Sequence, residues 1–497
     1  MSAFIFLIFS TLGLSMLFVT QIYVKISGYK KNQIILDYAA ENGIKKGLHQ
    51  FTIALGETSS LFVLDNEEYE ELRESAHSGG SLILAKWFGQ DFPFAISDTW
   101  DRLSWTCQTI YLLEKFKQQE SYFRANYNFK FFSAGGIRNT LNKKHMSLFS
   151  SLDILSGCIP LASIPIIIGN TYEPEDGEIQ IVQTDSGLLL PGILDRQGQL
   201  LPRDILTQVN SALNIKLFSI KDLTNRTLRQ ALGLEVEDSP VPQGIYLIQD
   251  DIGLGGVFVQ GNVDELLLCI EDNAQVISFT QEEQEWLLKF TPEECRTVFE
   301  TPQETYQFER LPRSTIIVNG SIRSLGGGVV SASGRPEKTT QEIPCLLDGI
   351  HLTVVSPDEI SITSHLLHQK LTWKEKIPYL KYARSQLNLL VSGTGITDSD
   401  LHSGKIIIPE ESPPDLKIQA SLTASGEGLS TLGTGKTVYL TGSLHVSKFR
   451  SNGNYFKLIP DARFLHQDDL LSDAPLTAKP VLYPVNFRID QWVENET

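Results

Sequence analysis

From Ala3 to Val24 the chain reads AFIFLIFSTLGLSMLFVTQIYV, 22 residues without a charge. No other feature constrains the fold as strongly, because about 20 consecutive apolar residues match the hydrocarbon thickness of a bilayer when they form a helix. A cleaved signal peptide carries an apolar region of about 7–15 residues followed by a small-x-small site. Here Gln21, Ile22, Tyr23 and Val24 lead straight into Lys25. The expectation is therefore a retained single-pass anchor in the cytoplasmic membrane, with the bulk of the chain as a head. Lys25, Lys30 and Lys31 follow the span, and the excess of lysine favours the cytosol for that side. An extracytoplasmic head, in the periplasm or at the cell surface, requires a basic leader upstream to reverse that preference.

Beyond Val24 the pattern stays compatible with a helix to about Phe51, with Ile26, Ile34, Tyr38 and Leu48 forming a broken apolar stripe. Proline is absent, although Gly28, Gly43 and Gly47 each weaken a helix by up to about 1 kcal/mol relative to alanine. A helix from Ala3 to Leu48 would be roughly 70 Å long. Half of it is expected in lipid, and half as a stalk that packs on other helices or on its own head.

The opening stretch SAFIFLIFSTLGLSMLFVTQIYVKISGYKKNQIILDYAAENGIKKGL resembles the N-terminal region of large minor pilins and of the tip pseudopilins of type II secretion. The likeness rests on a small residue opening the apolar run, TLGLSML within it, the SGYKKNQ connector and the string DYAAENGIKKG. It covers about the first tenth of the chain. The resemblance implies an assembly helix whose candidate residues are Ala3, Phe4, Ile5, Leu12 and Leu14 in the apolar run and Asp37, Ala39, Ala40, Glu41 and Gly43 beyond it. Its partners would be other pilin-like subunits or an assembly platform, together with membrane lipid. Major pilins carry a glutamate at the fifth mature position, whereas Ile5 and its neighbours are apolar and the first acid is Asp37. Tip pseudopilins share that absence, and they bind calcium in loops. The resemblance thus admits structural calcium but assigns it no ligand, and implies no other cofactor.

The rest of the chain divides by style. Residues 1–50 read as anchor and stalk, and 51–172 as a mixed α/β head. In that head DNEEYEELRESA is a surface helix, while DTWDRLSWTCQTIYLLEKF and SYFRANYNFKFFSAGG are strands rich in aromatic and β-branched residues. Residues 173–239 read as a helical insertion, 240–460 as a β-rich domain and 461–497 as a C-terminal extension. Three stretches of the β-rich part, Val257 to Val263, Ile316 to Ile322 and Val438 to Leu444, share an apolar-x-apolar-x-Gly-x-apolar kernel. Repeated rungs of this kind suggest a β-solenoid or a sandwich with regular hairpins. The expected class is α+β, mainly β, with a long N-terminal transmembrane or stalk helix.

Chemistry-bearing motifs are sparse. A net charge of −17 and a pI near 5.1, with no basic stripe, argue against nucleic-acid binding. The five cysteines form no C-x-x-C pair and read as structural or free thiols, with one long-range disulfide left open. LSTLGTGKT, Leu429 to Thr437, approaches a phosphate loop, but Ser430 replaces the first glycine and a strand follows where a helix is needed. His365 and His368 lack the carboxylate of an H-E-x-x-H site. The acidic pairs Asp250/Asp251, Asp398/Asp400 and Asp468/Asp469 read as solvated turns, with calcium ligation or glycan cleavage as the sharper alternative. The resulting expectation is a non-enzymatic, membrane-anchored envelope protein, a minor-pilin-like subunit at a filament tip or in its assembly. The alternatives are a tethered adhesin or binding module and a solenoid enzyme acting on polysaccharide.

Overall fold

The computed structural model describes residues 2–57, 62–78, 82–89, 92–100, 103–119, 121–137, 143–159, 166–172, 179–181, 225–250, 253–312, 315–370, 372–374, 377–379, 384–393, 403–461, 463 and 480–495, with the side chains of the first helix described from residue 14. It is a mixed α/β fold made mainly of strands. Helix α1, Ser2–Glu57, is a single helix of 56 residues, about 84 Å long. Among the described residues no helix is long and apolar enough to cross a membrane. That corrects the transmembrane part of the expected fold, and with it the membrane-anchored envelope function, the tethered alternatives and the single-pass topology with an extracytoplasmic head. Counted from Leu14, where its described side chains begin, α1 meets Lys25, Lys30 and Lys31 within about five turns, and from Leu36 on the helix packs on protein.

The partner of that second half is an antiparallel sheet. Strands β1 (Phe62–Val63), β2 (Ala95–Trp100), β3 (Leu103–Gln118), β4 (Tyr122–Ile137) and β5 (Lys143–Gly157) are joined by the C-terminal strand Val481–Asn495. Their spatial order is β1, C-terminal strand, β5, β4, β3, β2. Alternation sets the two faces: Phe123, Ala125, Tyr127, Phe129 and Phe131 of β4 point to α1 and are buried, while the residues between them face outward. Phe51 of α1 is the hub of this core, with ring centroids 4.6 Å from Phe88, 4.9 Å from Phe129, 5.3 Å from Phe131 and 5.2 Å from Phe487. Helix α2, Asn66–His77, starts at Asp65, whose side chain accepts from Glu68 N in a capping box. It covers one end of the sheet with α3, Leu82–Phe88.

Between β5 and the C-terminal strand the chain builds a parallel solenoid. One stack runs through Gly253–Gln260, Thr315–Asn319, His351–Ser356, Gln386–Val391, Asp415–Ala424, Thr437–Arg450 and Tyr455–Pro460. A second runs through Glu265–Glu271, Ile322–Val330, Glu359–Ile362, Lys405–Ile408 and Gly428–Thr431 to the far end of Thr437–Arg450. Two of the three kernels lie one above the other, Val257 against Ile316 and Val263 against Ile322. Their glycines stack as well: a Cβ on Gly320 would lie 2.6 Å from the carbonyl carbon of Gly261. An antiparallel excursion, Ala274–Gln281 to Thr305–Phe308, leaves the solenoid between its first two rungs. Strands Ile166–Tyr172 and Ile179–Ile181, which follow the head, pair with the last rungs. The residues after 460 thus include a structural strand of the head. Of the expected helical insertion, Asn225–Ala231 is helical, and the stretch 202–215 lies outside the described residues.

Candidate functional site

The candidate site is α1, whose two halves stand in opposite environments. In the first half, Leu14, Met16, Leu17, Phe18, Tyr23 and Val24 are all exposed, between 62% and 71%. Successive residues of a helix step about 100° round its axis, so these side chains, with Val19 and Ile22 at 50% and 42% exposure, reach every side of the rod. A helix apolar all round is stable only when surrounded. The side chains of Ala3, Phe4, Ile5 and Leu12 lie outside the described residues.

The second half is docked. Leu36, Ala39, Ala40, Ile44 and Phe51 are buried against the sheet, and the small residues are what let the backbones approach. A Cβ on Gly135 of β4 would come within 2.4 Å of Ala40 N and 2.7 Å of Leu36 O. One on Gly43 would strike Ser133 Oγ at 2.1 Å, and one on Gly47 would meet Cys107 Sγ at 2.6 Å. Burial beneath the helix pushes the Cys107 thiol up to about 11, so it stays protonated and acts as a small apolar filler. The paired alanines and Gly43 therefore grip the protein's own head. Asp37 and Glu41 sit on the rim of the same contact: Lys144 Nζ of β5 lies 3.4 Å from Asp37 Oδ1, and Lys45 pairs with Glu41 at 2.6 Å within the helix. Of the ten assembly candidates, Leu14 stands on the free half and the five from Asp37 to Gly43 on the docked half.

The other motifs resolve into structure. Lys436, which occupies the lysine position of the phosphate-loop-like string, is buried, and its ammonium donates to Pro409 O, Glu410 O, Ser412 O and Ser412 Oγ at 2.6–2.8 Å. All of its donor capacity goes to these acceptors, with none left for a phosphate. His368 is buried between the backbone oxygen of Gln419, 2.8 Å from Nε2, and Ser385 Oγ, 3.0 Å from Nδ1. Burial, then the nearby Arg463 guanidinium, holds its pKa down to about 3, so the ring is neutral. Arg463 is itself paired in the interior with Asp461. His365 accepts from Lys417 N at 3.0 Å. All five cysteines are free thiols. Among the described residues no cluster of His, Cys, Asp or Glu could hold a metal. Asp251, Asp398, Asp400, Asp468 and Asp469 lie outside the described residues, as does the side chain of Asp250.

What the sequence reading missed is the outward face of the head sheet, where polar Arg124, Asn126 and Asn128 alternate with the buried aromatics of β4. The same two-residue period that marks the core marks this face. No protein-family model, no curated protein and no solved structure matches the chain.

Proposed function

We propose that the protein is a self-assembling subunit: the free half of α1 packs among the equivalent helices of other copies of this chain, and the sheet with its solenoid is carried as the head. The observation behind this reading is the contrast within one helix. Its second half is buried on the sheet, whereas six large apolar side chains from Leu14 to Val24 are more than 60% exposed, and together with Val19 and Ile22, at 50% and 42%, they face every direction. A two-helix contact covers one stripe; coverage on all sides calls for several neighbouring helices. Burying each such side chain is worth about 1.5–3 kcal/mol, so the group of six supplies a large drive to associate. The bulk of the head sets a limit, since a shaft built only from such subunits would have to hold their heads apart.

Sedimentation of the full chain in water tests the reading. It is expected to travel as a multi-subunit particle, and Leu17→Glu with Val24→Glu is expected to release a monomer whose head keeps its melting temperature. A parent chain that is monomeric at micromolar concentration, or that partitions as a monomer into lipid vesicles, overturns it.

A further inference from the structure

The outer face of the head sheet, turned away from α1, is hollowed between β3 and the C-terminal strand into a groove of about 490 Å³. Four basic and three acidic side chains line it together with two asparagines and a serine, so donors and acceptors interleave and the charges nearly cancel. At its floor Asp153, 8% exposed, accepts from Arg124 Nη2 at 3.0 Å and from Asn126 Nδ2 at 2.7 Å. The second of these bonds fixes the Asn126 amide, and its Oδ1 is left as an acceptor without a hydrogen-bond donor.

Strand register places an aromatic platform next to this groove. Asn128 lies opposite Ser151 inside it, and the next outward pair along the same strands is Lys130 opposite Phe149, then Phe132 opposite Ser147. Each such step advances about 6.8 Å. His145 stacks on Phe132 with centroids 5.2 Å apart, and Lys130 Nζ sits 5.8 Å from the Phe132 ring and 5.5 Å from the Phe149 ring. Ile110 and Leu112 extend the apolar strip, 56% and 68% exposed.

We propose that this face binds a neutral oligosaccharide. A hydroxyl both donates and accepts without carrying charge, which is what interleaved, charge-balanced walls recognise; a phosphate or a carboxylate would meet three acids beside the four bases, one of which, Arg124, is already paired with Asp153. The C–H face of a sugar ring presents the apolar surface that the exposed part of Phe149, with Ile110 and Leu112, covers. Groove and platform one strand step apart suit two successive rings of one chain, the first held by its hydroxyls and the second stacked on Phe149. The site lies on the sheet face opposite α1 and does not depend on assembly through that helix.

Saturation-transfer NMR of the full chain with cellotetraose, maltotetraose and tetra-N-acetylchitotetraose in turn is the test. At least one is expected to receive transfer on its ring protons, and Phe149→Ala on the platform and Arg488→Ala in the groove wall, both at exposed positions, are each expected to weaken its binding at least tenfold. Assembly of the chain would be unchanged in both variants. No transfer to any of the three sugars at millimolar concentration, or equal binding by the parent and both variants, overturns the proposal.

Discussion

The head and the solenoid bury similar apolar side chains by different means, and the difference shows where each is vulnerable. In the head one helix lies on one sheet, and a cluster of rings around Phe51 carries the contact. In the solenoid each rung repeats the one below it, and a continuous column of Val, Leu and Ile runs from Val257 to Leu458. The first arrangement concentrates its stability at a few positions; the second spreads it over nearest neighbours.

Phe51→Ala probes that contrast most sharply. It removes a fully buried ring that touches four others and is expected to cost about 3–5 kcal/mol. Thermal melting followed by hydrogen exchange would show the head amides losing protection while the rungs from His351 to Pro460 keep theirs; equal loss in both would make the two regions one cooperative unit. A somewhat smaller effect is expected from Gly135→Val, about 3 kcal/mol, because the new side chain meets the backbone of Ala40 and Leu36, which have no rotamer to yield. Protection of residues 36–51 reads that out. In the solenoid the sharpest probe is pH. His368 has a folded pKa of about 3 against an ordinary 6.5, so between these values the unfolded chain binds the additional proton. Solenoid stability should therefore be at its full value above pH 6.5 and fall as pH drops below it, by up to about 1.4 kcal/mol per unit from this residue. Urea midpoints at pH 7 and pH 5 in the parent and in His368→Gln would isolate that contribution; identical pH slopes in the two would show that His368 carries none of it.

Local features were readable in the amino-acid sequence and distant ones were not. Aromatic alternation marks β3 and β4, the acidic start of DNEEYEELRESA marks α2 and its Asp65 cap, and the repeated kernel marks two rungs that do stack in register. Pairing between remote segments leaves no such trace. Nothing in residues 481–495 names β5 as their partner, so this strand of the head reads as a trailing extension. Gly43 and the paired alanines look like assembly residues, since close approach to a foreign helix and to one's own sheet ask for the same small side chains. Lys436 sits in a string shaped like a phosphate loop, and only the three carbonyls that converge on its ammonium show its task. The membrane reading rested on the composition of one window, and it fails because the described part of α1 holds no span of sufficient apolarity.

The insertion of the solenoid within the head sheet also imposes an order in time. Gly157 of β5 pairs with Val481 across more than 300 intervening residues. At about 5–20 residues per second of synthesis, β5 waits tens of seconds on the ribosome before the neighbour that completes its hydrogen bonding exists. Through that interval it is an open edge, with a row of unpaired amides and carbonyls on offer to any strand nearby. The rungs from Gly253 to Pro460, whose partners follow each other along the chain, can close as they emerge, while Ile166–Tyr172 and Ile179–Ile181 wait for the last of them. Birth order thus makes the six-stranded sheet the last finished part of the molecule.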